Sequence, residues 1–190
     1  MSKPKIVISF NAPVILCFAL LSLAVLIIGP LTGGWTTNNL FMVYPCSLRD
    51  PLAYIRVFGH VLGHSGYSHY IGNMLYILLL GPGIEEKYGS SKTLSFILAT
   101  AFVTGIFHMF FGAGGLLGAS GIVFMFIVLS SFTSVKQGEI PLTAILVLVL
   151  YIGQEIINGI ASIDSISQIT HILGGAMGFV FGITATGKKR

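Results

Sequence analysis

The segment APVILCFALLSLAVLII, residues 12–28, decides the fold class of this chain. It contains no charged side chain, and its length lies within the range of about 17–25 residues that a membrane-crossing helix needs. Lys3 and Lys5 precede the run, so a secretory signal peptide is the alternative interpretation. The run is longer than a usual signal-peptide core and lacks a small-residue cleavage site after it, which favours a retained helix.

The composition of the whole chain extends this interpretation to one membrane domain over residues 1–190. Hydrophobic residues make up 54% of the chain and charged residues only 8%, whereas soluble domains carry about 25% charged residues. The mean hydropathy is +0.92. A small soluble domain must cover a large surface with polar groups, so a water-soluble enzyme, a nucleic-acid-binding protein and a disordered chain are all disfavoured. We expect the lipid bilayer to be the surroundings of this protein.

The rest of the chain predicts an all-α membrane protein with six transmembrane helices. Five further apolar runs follow the first, separated by charged, glycine-rich or polar breaks; they cover residues 69–84, 93–111, 120–134, 141–157 and 169–185. Residues 30–68 are too polar to span a membrane and too apolar for an ordinary solvated loop. We therefore expect a long amphipathic first loop that lies at the interface as short pieces.

The basic residues predict the orientation of the bundle, because Lys and Arg collect on the cytoplasmic side of a membrane. With both termini cytoplasmic, only Arg49 and Arg56 fall outside. The remaining basic residues then fall inside: Lys3, Lys5, Lys87, Lys92, Lys136, Lys188, Lys189 and Arg190. The net charge of +4 is thus explained by topology, and it gives no reason to expect a nucleic-acid partner.

Polar residues inside the predicted spans mark a candidate site at one depth. His69 with Asn73, Ser120 and His171 each lie near the start of a helix that begins at the outer face in this topology. A serine hydroxyl is a weak nucleophile that needs a neighbouring base, and histidine titrates near neutral pH and can take its proton. The alignment therefore predicts a nucleophile–base pair of Ser120 and His171.

Small residues and the absence of acidic residues refine this prediction. Gly121 follows the serine, and Gly174, Gly178 and Gly182 recur at intervals of four, a pattern typical of tight helix packing. Glu155, at the end of the fifth run, and Asp164 are assigned to the last connection outside the bundle, so no Asp or Glu is expected at the depth of the site. We therefore expect a catalytic dyad with no third carboxylate.

The predicted second helix offers groups for an oxyanion hole. His69 and Asn73 are four residues apart and so share one helix face, with an imidazole N–H and an amide NH₂ as donors. Backbone N–H groups at the start of the predicted fourth helix add to them. That helix is short for a bilayer, so we expect Ser120 at the floor of a water-filled cavity.

Other interpretations of the polar residues remain. Serine is a common interhelical hydrogen-bonding group in membranes, so Ser120 alone is weak evidence for catalysis. His60, His64 and His69 form an alternative metal site, but no carboxylate accompanies them at ligand spacing, so we expect neither a metal nor another cofactor. We expect His108 to reach toward the interface.

Four motifs in this order resemble the rhomboid family of intramembrane serine proteases, over about residues 54–182. The nucleophile motif is present as Gly118-Ala119-Ser120-Gly121, and a His-x-x-x-Asn motif begins at His69. A Glu-x-x-x-Gly-Ser turn covers residues 85–90. The base motif contains His171, Gly174 and Gly178. Each motif is loose by itself, whereas the set on six predicted helices is specific.

The resemblance implies an intramembrane serine endopeptidase of the bacterial six-helix type in the inner or plasma membrane. Ser120 would be the nucleophile and His171 the general base, with His69, Asn73 and the Ser120 backbone N–H as the oxyanion hole. Gly118, Gly121, Gly174 and Gly178 would support this geometry. Substrates would be transmembrane proteins cut in or near their membrane segment. A non-catalytic rhomboid-like protein that binds membrane clients is the alternative.

This sequence departs from the family pattern at three positions. Phe124 replaces a tyrosine that commonly follows the nucleophile by one turn, so it can stack on the base but cannot form a hydrogen bond. Ile55-Arg56 replaces a Trp-Arg pair, and Thr170 replaces an alanine before the base. None of these changes removes a catalytic atom.

Overall fold

A computed structural model describes residues 9–136, 139–161 and 165–185. Within these ranges the chain forms eight α-helices: α1 (Pro13–Leu31), α2 (Trp35–Leu40), α3 (Pro51–Gly59), α4 (Tyr67–Tyr88), α5 (Ser90–Phe111), α6 (Ser120–Ser130), α7 (Leu142–Ala161) and α8 (Ser165–Thr184). The described ranges contain no β-strand, only an isolated bridge between Val43 and Leu116. The prediction of an all-α fold is confirmed.

Two helices of the described part are long and apolar enough to cross a membrane, α1 and α5. Shorter apolar helices cover Ser120–Ser130, Leu142–Gln154 and Gln168–Thr184. The count of six transmembrane helices therefore stays a prediction. Several residues used to predict the topology lie outside the described ranges: Lys3, Lys5, Asp164, Lys188, Lys189 and Arg190.

The helix boundaries differ from the sequence pattern where polar residues continue a helix. Helix α7 runs to Ala161, so the assignment of Glu155 to a connection was wrong. Helix α4 begins at Tyr67 and continues through the charged stretch to Tyr88, so residues 85–88 form its last turn. Polar residues mark where a helix leaves an apolar environment, but they do not break its backbone hydrogen bonds. Gly89, at φ +87°, makes the break between α4 and α5.

Glu85 is buried at the end of α4, although the sequence placed it in a polar turn at the membrane surface. Its carboxylate accepts hydrogen bonds from the backbone N–H groups of Val14 and Ile15, both at 3.1 Å, and from the Ser90 hydroxyl at 2.7 Å. The N-cap of α1 is Ala12, whose side chain forms no capping hydrogen bond. Glu85 therefore satisfies first-turn donors of α1 and places a negative charge at the positive end of its dipole.

Lys87, in the last turn of α4, binds the backbone that follows the end of α6. Its ammonium group donates to the backbone carbonyls of Phe132, Thr133 and Val135, at 3.1, 2.8 and 2.8 Å. A cation is favourable at a helix C-terminus, where carbonyl groups lack intrahelical partners. After Ser130 the chain forms turns, in which the Phe132 N–H donates to the Leu129 carbonyl at 3.0 Å, and α6 ends earlier than the predicted residue 134.

Helix α6 lies at the centre of the bundle. Its buried residues include Ile122, Met125, Phe126 and Leu129. Helix α8 packs directly on it, backbone against backbone: a Cβ added to Gly174 would lie 3.0 Å from the Gly121 Cα. Helices α4, α5 and α7 pack around this pair, and α1 packs against α4. The glycines at intervals of four on α8 thus lie where the two helices meet.

The first loop folds into the two short helices α2 and α3 around a buried arginine. The Arg56 side chain is 1% exposed and forms an ion pair with Asp50. It also lies over the Tyr44 ring, with its guanidinium carbon 4.5 Å from the ring centroid. Asp50 caps α3 by accepting from the Leu52 N–H at 2.9 Å. The Arg56 hydrogen bond lowers the pKa of Asp50 below its ordinary value of 3.8.

Candidate active site

Ser120 is the first residue of α6, directly after a glycine-rich loop. Gly118, at φ +132°, directs this loop across the start of α4, where an added Cβ would lie 2.8 Å from His69 Nε2. The Gly118 N–H donates to the His60 carbonyl at 2.9 Å, which ties the loop to the end of α3. A side chain at position 118 would therefore be strained in its backbone and would also clash with His69.

His171 and Ser120 meet across the contact between α8 and α6. His171 Nε2 lies 2.9 Å from Ser120 Oγ, a hydrogen-bonding distance. The residues lie 51 positions apart in the sequence, so the contact depends on the packing of α8 against α6. Gly121 and Gly174 leave no side-chain atoms between the two backbones, which brings the serine and the imidazole within reach.

Phe124 packs on the base from one turn after the serine. The ring centroids of Phe124 and His171 are 4.7 Å apart, with 46° between the ring planes. Aromatic pairs at such separations contribute about 0.5–1.5 kcal/mol beyond their buried area. The phenyl ring therefore restricts the orientation of the imidazole without a hydrogen bond.

His69 and Asn73 lie on α4 and face the same cavity as Ser120. This cavity has a volume of about 390 Å³, and it is lined by His69, Gly72, Asn73, Tyr76, Leu116, Leu117, Ser120, Val123, Phe124 and His171. None of these lining residues is an Asp or Glu. Asn73 is buried, and its Nδ2 has no hydrogen-bond partner among the described residues. A buried amide donor without a partner is unusual and fits a group that waits for a ligand.

Ser65 is a site residue that the sequence interpretation missed. Its hydroxyl lies 3.1 Å from His69 Nδ1. Ser65 precedes α4 in an irregular turn, where no hydrophobic period or motif marks it. In the sequence, only its position four residues before His69 could have indicated this contact. That spacing becomes informative only when the conformation of the turn before α4 is known.

His60 and His64 lie beside the site. Both ring nitrogens of His60 and Nδ1 of His64 lie near protein groups, whereas the buried His64 Nε2 has no hydrogen-bond partner among the described residues. His60 Nδ1 lies 3.0 Å from the Val57 carbonyl, and its Nε2 lies 3.3 Å from the Thr104 hydroxyl. His64 Nδ1 lies 3.2 Å from the Leu62 carbonyl. Within the described ranges, no group of three or more His, Cys, Asp or Glu residues is placed to hold a metal ion.

His108 is buried, and the expectation that it reaches toward the interface was wrong. Its Nε2 lies 3.3 Å from the Gly114 carbonyl, so the imidazole packs beneath the loop that leads to Ser120. The loop folds back over the end of α5 and provides this acceptor. A polar partner within the protein therefore replaces the partner expected at the membrane surface.

A comparison with protein families gives a match over most of the chain. The family model described as the Rhomboid domain matches residues 51–188, which is well over half of the chain. The matched part includes α4, α6 and α8, the three helices that carry the residues around the cavity. Helices α1 and α2 precede the matched residues.

Proposed function

The chain belongs to the rhomboid family of membrane proteins, and from that premise we propose that it is an active intramembrane serine endopeptidase. It hydrolyses peptide bonds in or near the transmembrane segments of membrane proteins. The single observation that carries this proposal is the hydrogen bond of 2.9 Å between Ser120 Oγ and His171 Nε2. A non-catalytic relative would not need a serine and a histidine in this arrangement beside an open cavity.

The reaction follows from the two side chains. The Ser120 hydroxyl attacks the peptide carbonyl carbon while His171 Nε2 accepts its proton. The resulting tetrahedral intermediate collapses to an acyl-enzyme when His171 returns the proton to the leaving amine. A water molecule, deprotonated by the same imidazole, then attacks the ester carbonyl. The bond from the acyl carbon to Ser120 Oγ breaks as His171 returns the proton to Oγ, and the second product leaves. Phe124 packs on His171 and restricts the orientation of the imidazole ring.

The intermediate carries a negative charge on the former carbonyl oxygen, and three donors surround the place where it would form. The buried Asn73 amide lacks another partner, and His69 Nε2 lies beside Gly118, two residues before the nucleophile. The Ser120 N–H lies at the N-terminus of α6, where the first N–H groups of a helix have no intrahelical acceptor. Loss of one such donor typically costs about 10²–10³-fold in kcat.

The surroundings of the dyad favour a membrane substrate. Much of the cavity lining is apolar, with Leu116, Leu117 and Val123 close to the serine. The predicted topology, with six spans and both termini cytoplasmic, places the dyad below the outer surface of the inner or plasma membrane. A transmembrane segment that unwinds near this depth would present its carbonyl groups to Ser120.

The proposal is tested with purified protein in liposomes that contain a model single-span substrate. We expect cleavage by the wild-type protein and a loss of roughly 10³-fold or more with Ser120→Ala, because the nucleophile is removed. Ser130→Ala is the matched control, since that hydroxyl donates only within α6, to the Ile127 carbonyl at 2.8 Å. Wild-type cleavage by Ser120→Ala would contradict the dyad. Substrate binding without cleavage by the wild-type protein would favour the client-binding alternative.

A further inference from the structure

We propose that Ser65 is a positioning residue that donates to His69 Nδ1 and so supports the tautomer in which His69 donates its Nε2–H to the oxyanion. The inference rests on the proposed function and adds to it a residue outside the four motifs on which the family resemblance was based. It begins from one contact, the 3.1 Å distance between Ser65 Oγ and His69 Nδ1.

The His69 ring connects two different environments. Its Nδ1 faces Ser65, which is exposed in the turn before α4. Its Nε2 faces the nucleophile loop, 2.8 Å from the place of a Cβ on Gly118. The ring of His64 packs edge-on against His69, with the centroids 5.1 Å apart. These contacts hold the imidazole with Nδ1 toward Ser65 and Nε2 toward the nucleophile loop.

A neutral imidazole has one N–H, and the hydrogen bond at one nitrogen determines the state of the other. An Nε2–H stabilises a developing oxyanion, whereas an Nε2 lone pair repels it. Nδ1 must then carry the lone pair, and it needs a donor. Ser65 has a hydroxyl that can rotate to donate, so it satisfies Nδ1 in the tautomer that catalysis requires. With a fixed acceptor such as a backbone carbonyl in this place, the opposite tautomer would be favoured.

The structure offers a matched pair of substitutions. Ser65→Thr keeps the hydroxyl and adds a methyl group at an exposed position. Ser65→Val introduces a side chain with the shape of threonine but without the hydroxyl. Ser68→Ala is a second control, because Ser68 is an exposed serine one residue before His69. A hydrogen bond of this kind contributes about 1 kcal/mol, so we expect Ser65→Val to lower kcat roughly fivefold with KM unchanged. Ser65→Thr and Ser68→Ala should keep the wild-type kcat.

The decisive readout is the tautomer itself, measured by ¹⁵N NMR of His69 in protein labelled at histidine and purified in detergent. In the Ser120→Ala background, where no cleavage occurs, we expect an unprotonated Nδ1 that accepts a hydrogen bond, and a shifted Nδ1 resonance in Ser65→Val but not in Ser65→Thr. A protonated Nδ1, or identical spectra for Val and Thr, would overturn the inference. Because this measurement needs no activity, a failure of the proposed protease function would appear separately, as absent cleavage with an intact tautomer.

Discussion

Replacement of Gly174 by alanine tests whether the backbone contact between α6 and α8 sets the geometry of the dyad. The added Cβ would lie 2.9 Å from the Gly121 carbonyl carbon and 3.0 Å from its Cα. Non-bonded carbon atoms prefer about 3.5–4.0 Å, so the helices must separate by roughly 0.5–1 Å. The obstacle is backbone, which cannot rotate away as the end of a side chain would.

The separation acts directly on the hydrogen bond between the serine and the base. His171 lies on α8, one turn before Gly174, and its bond to Ser120 measures 2.9 Å. A shift of this size moves the two atoms beyond the normal range of about 2.7–3.2 Å. A misplacement near 1 Å costs about 10²-fold in rate, so we expect Gly174→Ala to lower kcat by that order.

The assay is cleavage of a single-span substrate in liposomes, with thermal unfolding measured in parallel. Gly83→Ala is the matched control, because Gly83 also lies within a helix but an added Cβ there meets no atom within 4 Å. It should keep the wild-type rate. Wild-type kcat in a folded Gly174→Ala protein would refute the reasoning, because the dyad would then not depend on this close approach.

Three further predictions concern the charged groups that hold the ends of helices and the first loop. Glu85→Ala leaves first-turn N–H groups of α1 without an acceptor, so the free energy of unfolding should fall by about 2–3 kcal/mol in a denaturation experiment, and by less for Glu85→Gln. Lys87→Met should lower the melting temperature, because three carbonyls after α6 lose their donor, while Lys87→Arg keeps a cation and should lower it less. The pKa of Asp50 is lowered by Arg56, so its contribution to stability is present above the ordinary value of 3.8 and is lost as the pH falls through the lowered pKa. Asp50→Asn should therefore flatten the acid side of a plot of melting temperature against pH, and an unchanged acid slope would contradict this assignment.

The sequence was most informative where local pattern and membrane depth agree. The spacing of His69 and Asn73 placed both on one helix face, and the structure brings them to one cavity with Ser120 and His171. Membrane crossing restricts where a helix can begin, so residues near the start of helices with the same orientation share a depth. The glycine spacing on α8 also indicated that α8 approaches another helix closely, because small residues determine which helix faces can meet.

The sequence was least informative where a charged or polar residue finds a distant partner. The sequence placed Glu85 in a surface turn and Lys87 on the cytoplasmic rim, but their partners lie on α1 and after α6. Such contacts depend on how helices pack, and no local period reports them. His108 and Ser65 show the same limitation, because each contacts its partner through an irregular turn.

The central claim is that Ser120 is a nucleophile activated by His171, and covalent labelling tests it most directly. A fluorophosphonate reacts with an activated serine hydroxyl, which forms an oxygen–phosphorus bond as fluoride leaves. We expect mass spectrometry to find the adduct on Ser120, with labelling lost in Ser120→Ala, strongly reduced in His171→Ala and unchanged by a metal chelator. Labelling that persists in Ser120→Ala, or that proceeds equally well without His171, would contradict the account.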